Sequence, residues 1–578
     1  MSLNKSVTPE CLSSSGPLTK PNFLFVMVDE LRKPPVYESD DIKAWRLANL
    51  PGQSALRETA HEFNRHYIGS TACTPSRATL FTGQYPSLHG VSQTDGLAKT
   101  EYDEGIFWLD PNTVPTMGDY LERNGYKTYY KGKWHISHAD ITLPGSHVAL
   151  PTVNQVTGEI DETNTNIYLN ANRLKDWGFS GWVGPEPHGS NPNNSASSSS
   201  IGLVGRDEVF ADQVVDLIQE LDQADPQKPW MIAACLVNPH DIALYGAITS
   251  HMPIYNFEID PSVPDIPEAP TENEDLTTKP SAQSSYRSVF PQALQPIGDR
   301  QAYRKVYYSL EKYVDNQILK IVTAIKASSM YNNTIIIFTS DHGDQLGSHG
   351  GLFQKWHNVY EESLHVPCLF HNPILFPTYT STDDLSSHVD LIPTMLRLAG
   401  ISETNTQCKL KVDHCEVRKL VGRPLPLPVT AYESDDQSEA IYFWTQDNPT
   451  TGENQISPAT GIPYTAVTQP ASIEAVLVYL TSKFYEGRQL FKYARYYDAK
   501  DATVPNEFEM YNLTADPFEA TNLLNPTPTD VPTISSRSQC QAALAEQRNL
   551  KMLTPTYQAG FVPLIPQNII PVPTSTPI

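Results

Sequence analysis

Asn22-Phe23-Leu24-Phe25-Val26-Met27-Val28, followed at once by Asp29-Glu30, is the stretch that decides the fold. From Phe23 on it is an unbroken apolar run with aromatic and β-branched residues. It therefore reads as a strand buried on both faces. Thr334 to Phe338 (TIIIF) is a second such run, Trp230 to Val237 (WMIAACLV) a third, and Tyr126 to Tyr130 (YKTYY) a shorter fourth. Helical patterns lie between them. Val114 to Asn124 carries Met117 and Leu121 and stops at Gly125. Val209 to Leu221 repeats apolar residues at helical spacing. Ala302 to Ala327 is a long amphipathic stretch through Tyr307, Leu310, Tyr313 and Ile318. Buried strands alternating with helices predict an α/β fold, a large, mostly parallel mixed sheet sandwiched by helices.

In open sheets of this kind, ligands bind at the carboxyl ends of the strands. Distinctive residues stand there. Asp29 and Glu30 follow the first run, Asp341 and His342 the second, and His240 the third. Lys133 and His135, in Gly132-Lys133-Trp134-His135, follow the fourth. Packing does not explain carboxylates, lysines and histidines collected at four strand ends. Asp29, Glu30, Asp341 and His342 read as a metal site. Their oxygens suit Ca²⁺ or Mg²⁺, and the imidazole shifts the preference toward Mn²⁺. His188, His349 and His357 lie near these motifs and read as structural.

Composition sets outer limits. The chain has 578 residues, enough for a large α/β domain with a smaller companion. Its net charge of −24 argues against nucleic acid or an anionic membrane surface as a partner. Met1 to Lys20 is polar and holds no apolar core of a secretory signal, and no apolar run is long enough to span a membrane. The cytoplasm is the expected location. Seven cysteines, an odd number, do not form a disulfide framework. Cys408 and Cys415 are close enough in sequence to pair, but a reduced loop is expected.

Cys73-Thr74-Pro75-Ser76-Arg77-Ala78-Thr79-Leu80-Phe81-Thr82-Gly83 carries the most specific motif. Thr74 is an acceptable N-cap, Pro75 suits a first helical position, and Gly83 suits a left-handed stop. Cys73 is thus expected just before a helix N-terminus, where backbone N–H groups favour an anion. Arg77, one turn on, can reach back to the same point.

This C-x-P-S-R run followed by Thr82-Gly83 resembles the motif by which type I sulfatases mark one cysteine for oxidation to formylglycine. The chain resembles that family and its relatives, the phosphonate monoester hydrolases, within the alkaline phosphatase superfamily. Further matches are Lys355 in Lys355-Trp356-His357-Asn358, Val366-Pro367, and His388 to Gly400 (HVDLIPTMLRLAG). Near the end, Glu509 to Leu513 and Asp516 to Glu519 resemble the close of the family's small C-terminal domain.

The resemblance implies a formylglycine at residue 73, installed by a formylglycine-generating enzyme. It also implies one divalent cation, Ca²⁺ first and Mn²⁺ as the alternative, held by Asp29, Glu30, Asp341, His342 and residue 73. Arg77 and the metal would stabilise the hydrate oxygen, and Asp341 would take its proton. Lys133 and Lys355 would hold the sulfonyl oxygens of a small anionic ester. His240 would protonate the leaving group, and His135 would release sulfate by deprotonating the second hydroxyl. The family usually carries Asp and Asn where Glu30 and His342 stand here. His342 resembles the phosphonate monoester hydrolases, while the GKWH motif resembles sulfatases. Hydrolysis of aryl or alkyl sulfates is the first reading and phosphonate monoester or phosphodiester hydrolysis the second.

Residues 1–430 read as the catalytic α/β domain and 431–578 as a smaller domain with an antiparallel sheet and a helix. Ser190 to Ser200 and Pro261 to Pro291 read as surface loops. The tail from Gly560 to Ile578 is apolar and rich in proline, so it cannot form a helix or central strand. It is expected to lie as an extended arm on a neighbouring subunit of a dimer or tetramer, or to be disordered.

Overall fold

The computed structural model describes residues 18, 20–154, 159–187, 206–224, 228–253, 255, 257–428 and 440–556. Ser190 to Ser200, His188, the boundary near residue 430 and the tail from Gly560 lie outside the described residues.

Seven strands make the large sheet: β1 (Asn22–Asp29), β2 (Ala60–Tyr67), β3 (Lys127–Gly132), β4 (Trp230–Pro239), β5 (Thr334–Ser340), β6 (Cys368–His371) and β7 (Thr380–Ser387), in the order β3-β4-β1-β5-β6-β2-β7. β3, β4, β1 and β5 run parallel to one another, whereas β6 is antiparallel to both β5 and β2. The sheet is mixed and mostly parallel, as the buried runs predict. The four strands whose ends carry the distinctive residues are therefore consecutive in space and point the same way.

β1 shows why an unbroken apolar run is needed. Phe23, Phe25 and Met27 pack on one face with Phe81, Tyr120 and Trp134, while Leu24, Val26 and Val28 pack on the other with Ile218, Ile318 and Val322. The first face is covered by α1 (Cys73–Thr82) and α2 (Met117–Glu122). The second is covered by α3 (Arg206–Gln223) and, further on, by the long amphipathic helix Arg300–Ala327. At roughly 25 cal/mol per Å² of apolar surface, burial on both faces makes this strand a main source of stability.

Two expectations are corrected. Pro261 to Pro291 is not a surface loop throughout. Ser281–Ala293 is a helix, α4, with Ala282, Tyr286, Val289, Phe290 and Ala293 buried along one side. Pro291 stands in its last turn, where a missing N–H removes one intrahelical bond without ending the helix. The loop expected around Cys408 and Cys415 likewise contains a helix over Glu403–Leu410, which holds Cys408. Its N-cap is Ser402, whose hydroxyl accepts from the Asn405 N–H.

The helix Arg300–Ala327, α5, and the helix Leu391–Leu398, α6, complete the large layer. A second sheet follows, antiparallel, in the order β11-β10-β9-β8. Its strands are β8 (Ile441–Thr445), β9 (Ser472–Thr481), β10 (Arg488–Tyr497) and β11 (Glu507–Asn512), backed by α7 (Val531–Lys551). It is not an appendage. In β8, Trp444 N–H donates to the Gly69 carbonyl (3.0 Å) and Thr445 Oγ1 to the Thr71 carbonyl (2.8 Å). The edge of the small sheet thus grips the segment that leads into Cys73. No helix among the described residues is long and apolar enough to cross a membrane.

Candidate active site

Glu30 turns the chain out of β1 with a φ of +70°, and its N–H donates to Asp341 Oδ1 (3.1 Å). The end of β1 is therefore fastened to the end of β5, and Asp29 and Asp341 are brought side by side. Arg77 occupies the space between them. Its Nε donates to Asp341 Oδ2 (2.8 Å), one terminal nitrogen to Asp29 Oδ2 (2.9 Å) and the other to the Lys133 carbonyl (2.7 Å). Lys133 Nζ lies 2.7 Å from the same Asp29 oxygen. All of these side chains are fully buried.

The helix start differs from expectation in one detail. Cys73 is the first residue of α1 rather than its predecessor, and Ala72, not Thr74, is at the N-cap position. Alanine has no capping side chain. The Ala72 N–H is instead met by Asp447 Oδ2 at 3.0 Å. The Thr74 hydroxyl is turned to His135 Nε2 at 3.4 Å. Gly83 closes the helix with a φ of +63°, as expected.

Asp29, Cys73, Asp341 and His342 converge, with one ligand atom from each within 4.8 Å of the others. His342 Nε2 lies 3.0 Å from Cys73 Sγ, 3.6 Å from Asp29 Oδ1 and 3.8 Å from Asp341 Oδ1. The other ring nitrogen, Nδ1, faces the Gly343 carbonyl at 3.1 Å. A backbone acceptor there keeps the proton on Nδ1 and leaves Nε2 as a ligand. Arg77 and Lys133 take the Oδ2 oxygens, which leaves Asp29 Oδ1 and the second lone pair of Asp341 Oδ1, beside the Glu30 N–H, for a cation. This donor set fits a divalent metal. Glu30 is not in that group. It joins Asp29 and His240 in a second one, and its Oε2 accepts from Lys355 Nζ at 2.9 Å.

Electrostatics follow the geometry. Burial by itself pushes the Asp29 carboxyl up, but Lys133 and Arg77 outweigh it and hold the group well below the usual carboxylate range. Burial and then the neighbouring Asp29 charge raise Asp341. Burial raises Glu30 well above its ordinary value, and Lys355 offsets only part of this. Burial, then Asp29, pushes the Cys73 thiol up to about 12. Burial and then Lys133 hold His240 well below its ordinary value.

Every proposed site residue thus falls at one edge of the sheet, though not in one shell. Asp29, Cys73, Arg77, Lys133, Asp341 and His342 are directly linked. Lys355 and Glu30 form an adjoining pair, and His240 reaches them through Asp29. His135 reaches the start of α1 through Thr74. His357 and His349 lie away from this group. His349 sits between Glu274 and Glu362, and His357 lies against Tyr286.

Three residues that shape the site carry no signal in the sequence. Glu186 accepts the backbone N–H groups of Trp134 (3.1 Å) and His135 (2.6 Å) and so holds the GKWH turn. Asp447 accepts from Ala72 N–H, Thr94 N–H (3.0 Å) and Trp356 Nε1 (2.9 Å). Asp95 lies against His135. Only the expectation that buried N–H groups find acceptors could have called for such residues, and it does not say which acids serve.

The sulfatase family model matches residues 21–401. The chain belongs to the sulfatase family. It is 26% identical over 397 residues to the uncharacterized sulfatase YidJ of Escherichia coli K12, covering 67% of this chain and 69% of that protein. It is 27% identical over 388 residues to the choline-sulfatase of Rhizobium meliloti, covering 66% and 68%. The phosphonate monoester hydrolase of Agrobacterium radiobacter shares the fold, with a TM-score of 0.55 at 17% identity over 91% of this chain and 96% of that one. The protein is a sulfatase-family hydrolase with a candidate metal site.

Proposed function

We propose that the chain hydrolyses sulfate monoesters with a formylglycine at position 73, made from Cys73 by a formylglycine-generating enzyme. The observation that carries this reading is the GKWH turn: Lys133 pairs with Asp29 while His135 reaches the residue next to Cys73. Phosphonate monoester hydrolysis is the second reading, favoured by His342 standing in the metal group.

Asp29, Asp341, His342 and residue 73 would hold one divalent cation, which supplies a Lewis acid for the nucleophile and the ester oxygens. Glu30 is assigned to Lys355 rather than to the ion. The oxygen donors favour Ca²⁺, with Mn²⁺ as the alternative because an imidazole stands among them.

The remaining roles belong to the chain's own groups. Arg77 holds both metal-side carboxylates in place and stabilises negative charge at residue 73. Lys133 and Lys355 approach from two sides and bind the peripheral oxygens of the ester. Asp29, Glu30 and Asp341 already balance Arg77, Lys133 and Lys355. A divalent cation therefore leaves a positive excess, and the site selects an anion despite the acidic surface. Burial and then Lys133 hold His240 well below its ordinary value. An anionic ester beside Lys133 raises its proton affinity, which equips it to protonate the leaving oxygen. His135 takes the proton that releases the product.

The small C-terminal part, residues 431–578, is assigned a supporting role through β8, and the apolar tail a role in a dimer or tetramer. A paired assay tests the main reading. Protein made with the maturing enzyme is given an aryl sulfate and the matching aryl phosphonate monoester, with Cys73→Ala as blank. A higher kcat/KM on sulfate supports the first reading, and a higher value on phosphonate replaces it with the second.

A further inference from the structure

We propose that Asp95 is the positioning residue of His135, setting the orientation of its ring and raising its affinity for a proton. This rests on the reading of His135 given above. His135 Nε2 lies 2.5 Å from Asp95 Oδ1, and the two side chains are only 5% and 7% exposed. The same nitrogen lies 3.4 Å from Thr74 Oγ1, so the ring is set against the residue that follows Cys73.

The backbone of His135 is already fixed. Its φ is +57°, and its N–H and that of Trp134 are held by Glu186. Those bonds place the Cα atom and do not reach the ring, which Asp95 holds through Nε2. The Asp95 carboxylate keeps the proton on Nε2, so the proton that His135 takes goes to Nδ1, and the carboxylate stabilises the imidazolium when it forms.

Asp95 is itself placed by the machinery that places the nucleophile. The N–H of the preceding residue, Thr94, donates to Asp447 Oδ1, while Asp447 Oδ2 accepts from Ala72 N–H and from Trp356 Nε1. One carboxylate, in the loop just after β8, therefore fixes the residue before Cys73, the residue before Asp95 and the residue after Lys355. Other charged groups around the pair are Glu186 on the backbone side and Lys99 beyond Asp95. Lys99 is held to the Asn448 carbonyl and interacts with Asp447, Asp103 and Asp95. The Trp108 ring, 6.1 Å away, closes the remaining side against His138. A surface ion pair has no such enclosure.

The test uses full-length protein made with the maturing enzyme, as wild type, Asp95→Asn and Asp95→Ala. kcat and KM for an aryl sulfate are measured across pH, and the fraction of residue 73 converted is read from peptide mass. For Asp95→Asn, conversion and KM are expected to hold while kcat falls about 10- to 100-fold. The acid limb of kcat moves about one unit to lower pH, because the lost carboxylate no longer favours the imidazolium. A kcat–pH profile that superimposes on wild type overturns the assignment. So does a loss of kcat fully explained by lower conversion. Titration of the His135 ring by NMR with labelled histidine is independent of turnover. A fall in its pKa in Asp95→Asn supports the assignment, and an unchanged pKa overturns it. If converted wild type turns over neither ester but the ring titration shifts, the proposed reaction fails while the Asp95–His135 pairing stands.

Discussion

At the carboxyl edge of the large sheet, carboxylates and cations are buried around Cys73. At the seam between the two sheets, another set is buried as deeply, yet the two are built differently. In the seam, His349 Nδ1 meets Glu274 (2.9 Å), Nε2 meets Glu362 (3.3 Å), and the ring lies flat on Tyr360 at 3.4 Å. Lys492 pairs with Glu361 (2.9 Å) and Glu519 (2.8 Å) and donates to the Val359 carbonyl. Here each charge has its opposite within the chain. At the sheet edge, His240 Nδ1 has no hydrogen-bond partner among the described residues, and Asp29 Oδ1 faces the His342 imidazole and the Cys73 sulfur. His349, Glu362 and Glu519 also present ligand atoms within 4.8 Å of one another, but Lys492 already serves Glu519. Buried charge that is fully answered fastens elements together. Buried charge left partly open is available to a ligand.

Substitutions can break this contrast. Cys73→Ala is expected to lower kcat/KM on the preferred ester by a factor on the order of 10⁴ or more, with the melting temperature little changed. Turnover and thermal denaturation check both halves. Arg77→Gln removes the cation shared by Asp29 and Asp341, and should cost about 3–5 kcal/mol of stability as well as activity. Urea denaturation measures it, and a small loss would show that the edge cluster does not depend on Arg77 for its balance. Asp447→Ala frees the segment before Cys73, and a displacement near 1 Å is worth about 100-fold in kcat. Steady-state kinetics should show that fall at similar KM.

The seam should show the reverse pattern and the smallest effect on turnover. His349→Gln is expected to leave kcat unchanged and to reduce stability. Burial alone would lower the His349 pKa, but Glu362 and Glu274 outweigh burial and bring it up to about 9. A histidine whose folded pKa is raised stabilises the fold fully below its unfolded value near 6.5 and loses that contribution as pH rises through about 9. The contribution is on the order of 3 kcal/mol. Wild-type stability should therefore fall across that window while the variant stays flat. Parallel curves would remove His349 from the fastening.

The same contrast explains what could be read in advance. Apolar runs fix which strands are buried, and the residues after Val28, Gly132, Pro239 and Ser340 mark the edge where chemistry gathers, because sheet topology makes those ends neighbours. Helix α4 was hidden because Pro291 suggests a loop, and only its buried side reveals the periodicity of Ala282, Tyr286 and Val289. Glu30 stands beside Asp29 in sequence yet turns to Lys355, since a φ of +70° points the next side chain elsewhere. Asp447, Asp95 and Glu186 are ordinary acids among the chain's 65, and only the fold brings them to Cys73.

The most direct test of the central claim is the mass of the peptide carrying residue 73, measured beside turnover in preparations matured to different extents. The account predicts a peptide lighter by the difference between a thiol and an aldehyde. It also predicts activity that rises in proportion to the aldehyde fraction and is absent from Cys73→Ala. Full turnover by protein whose residue 73 is entirely thiol would contradict it.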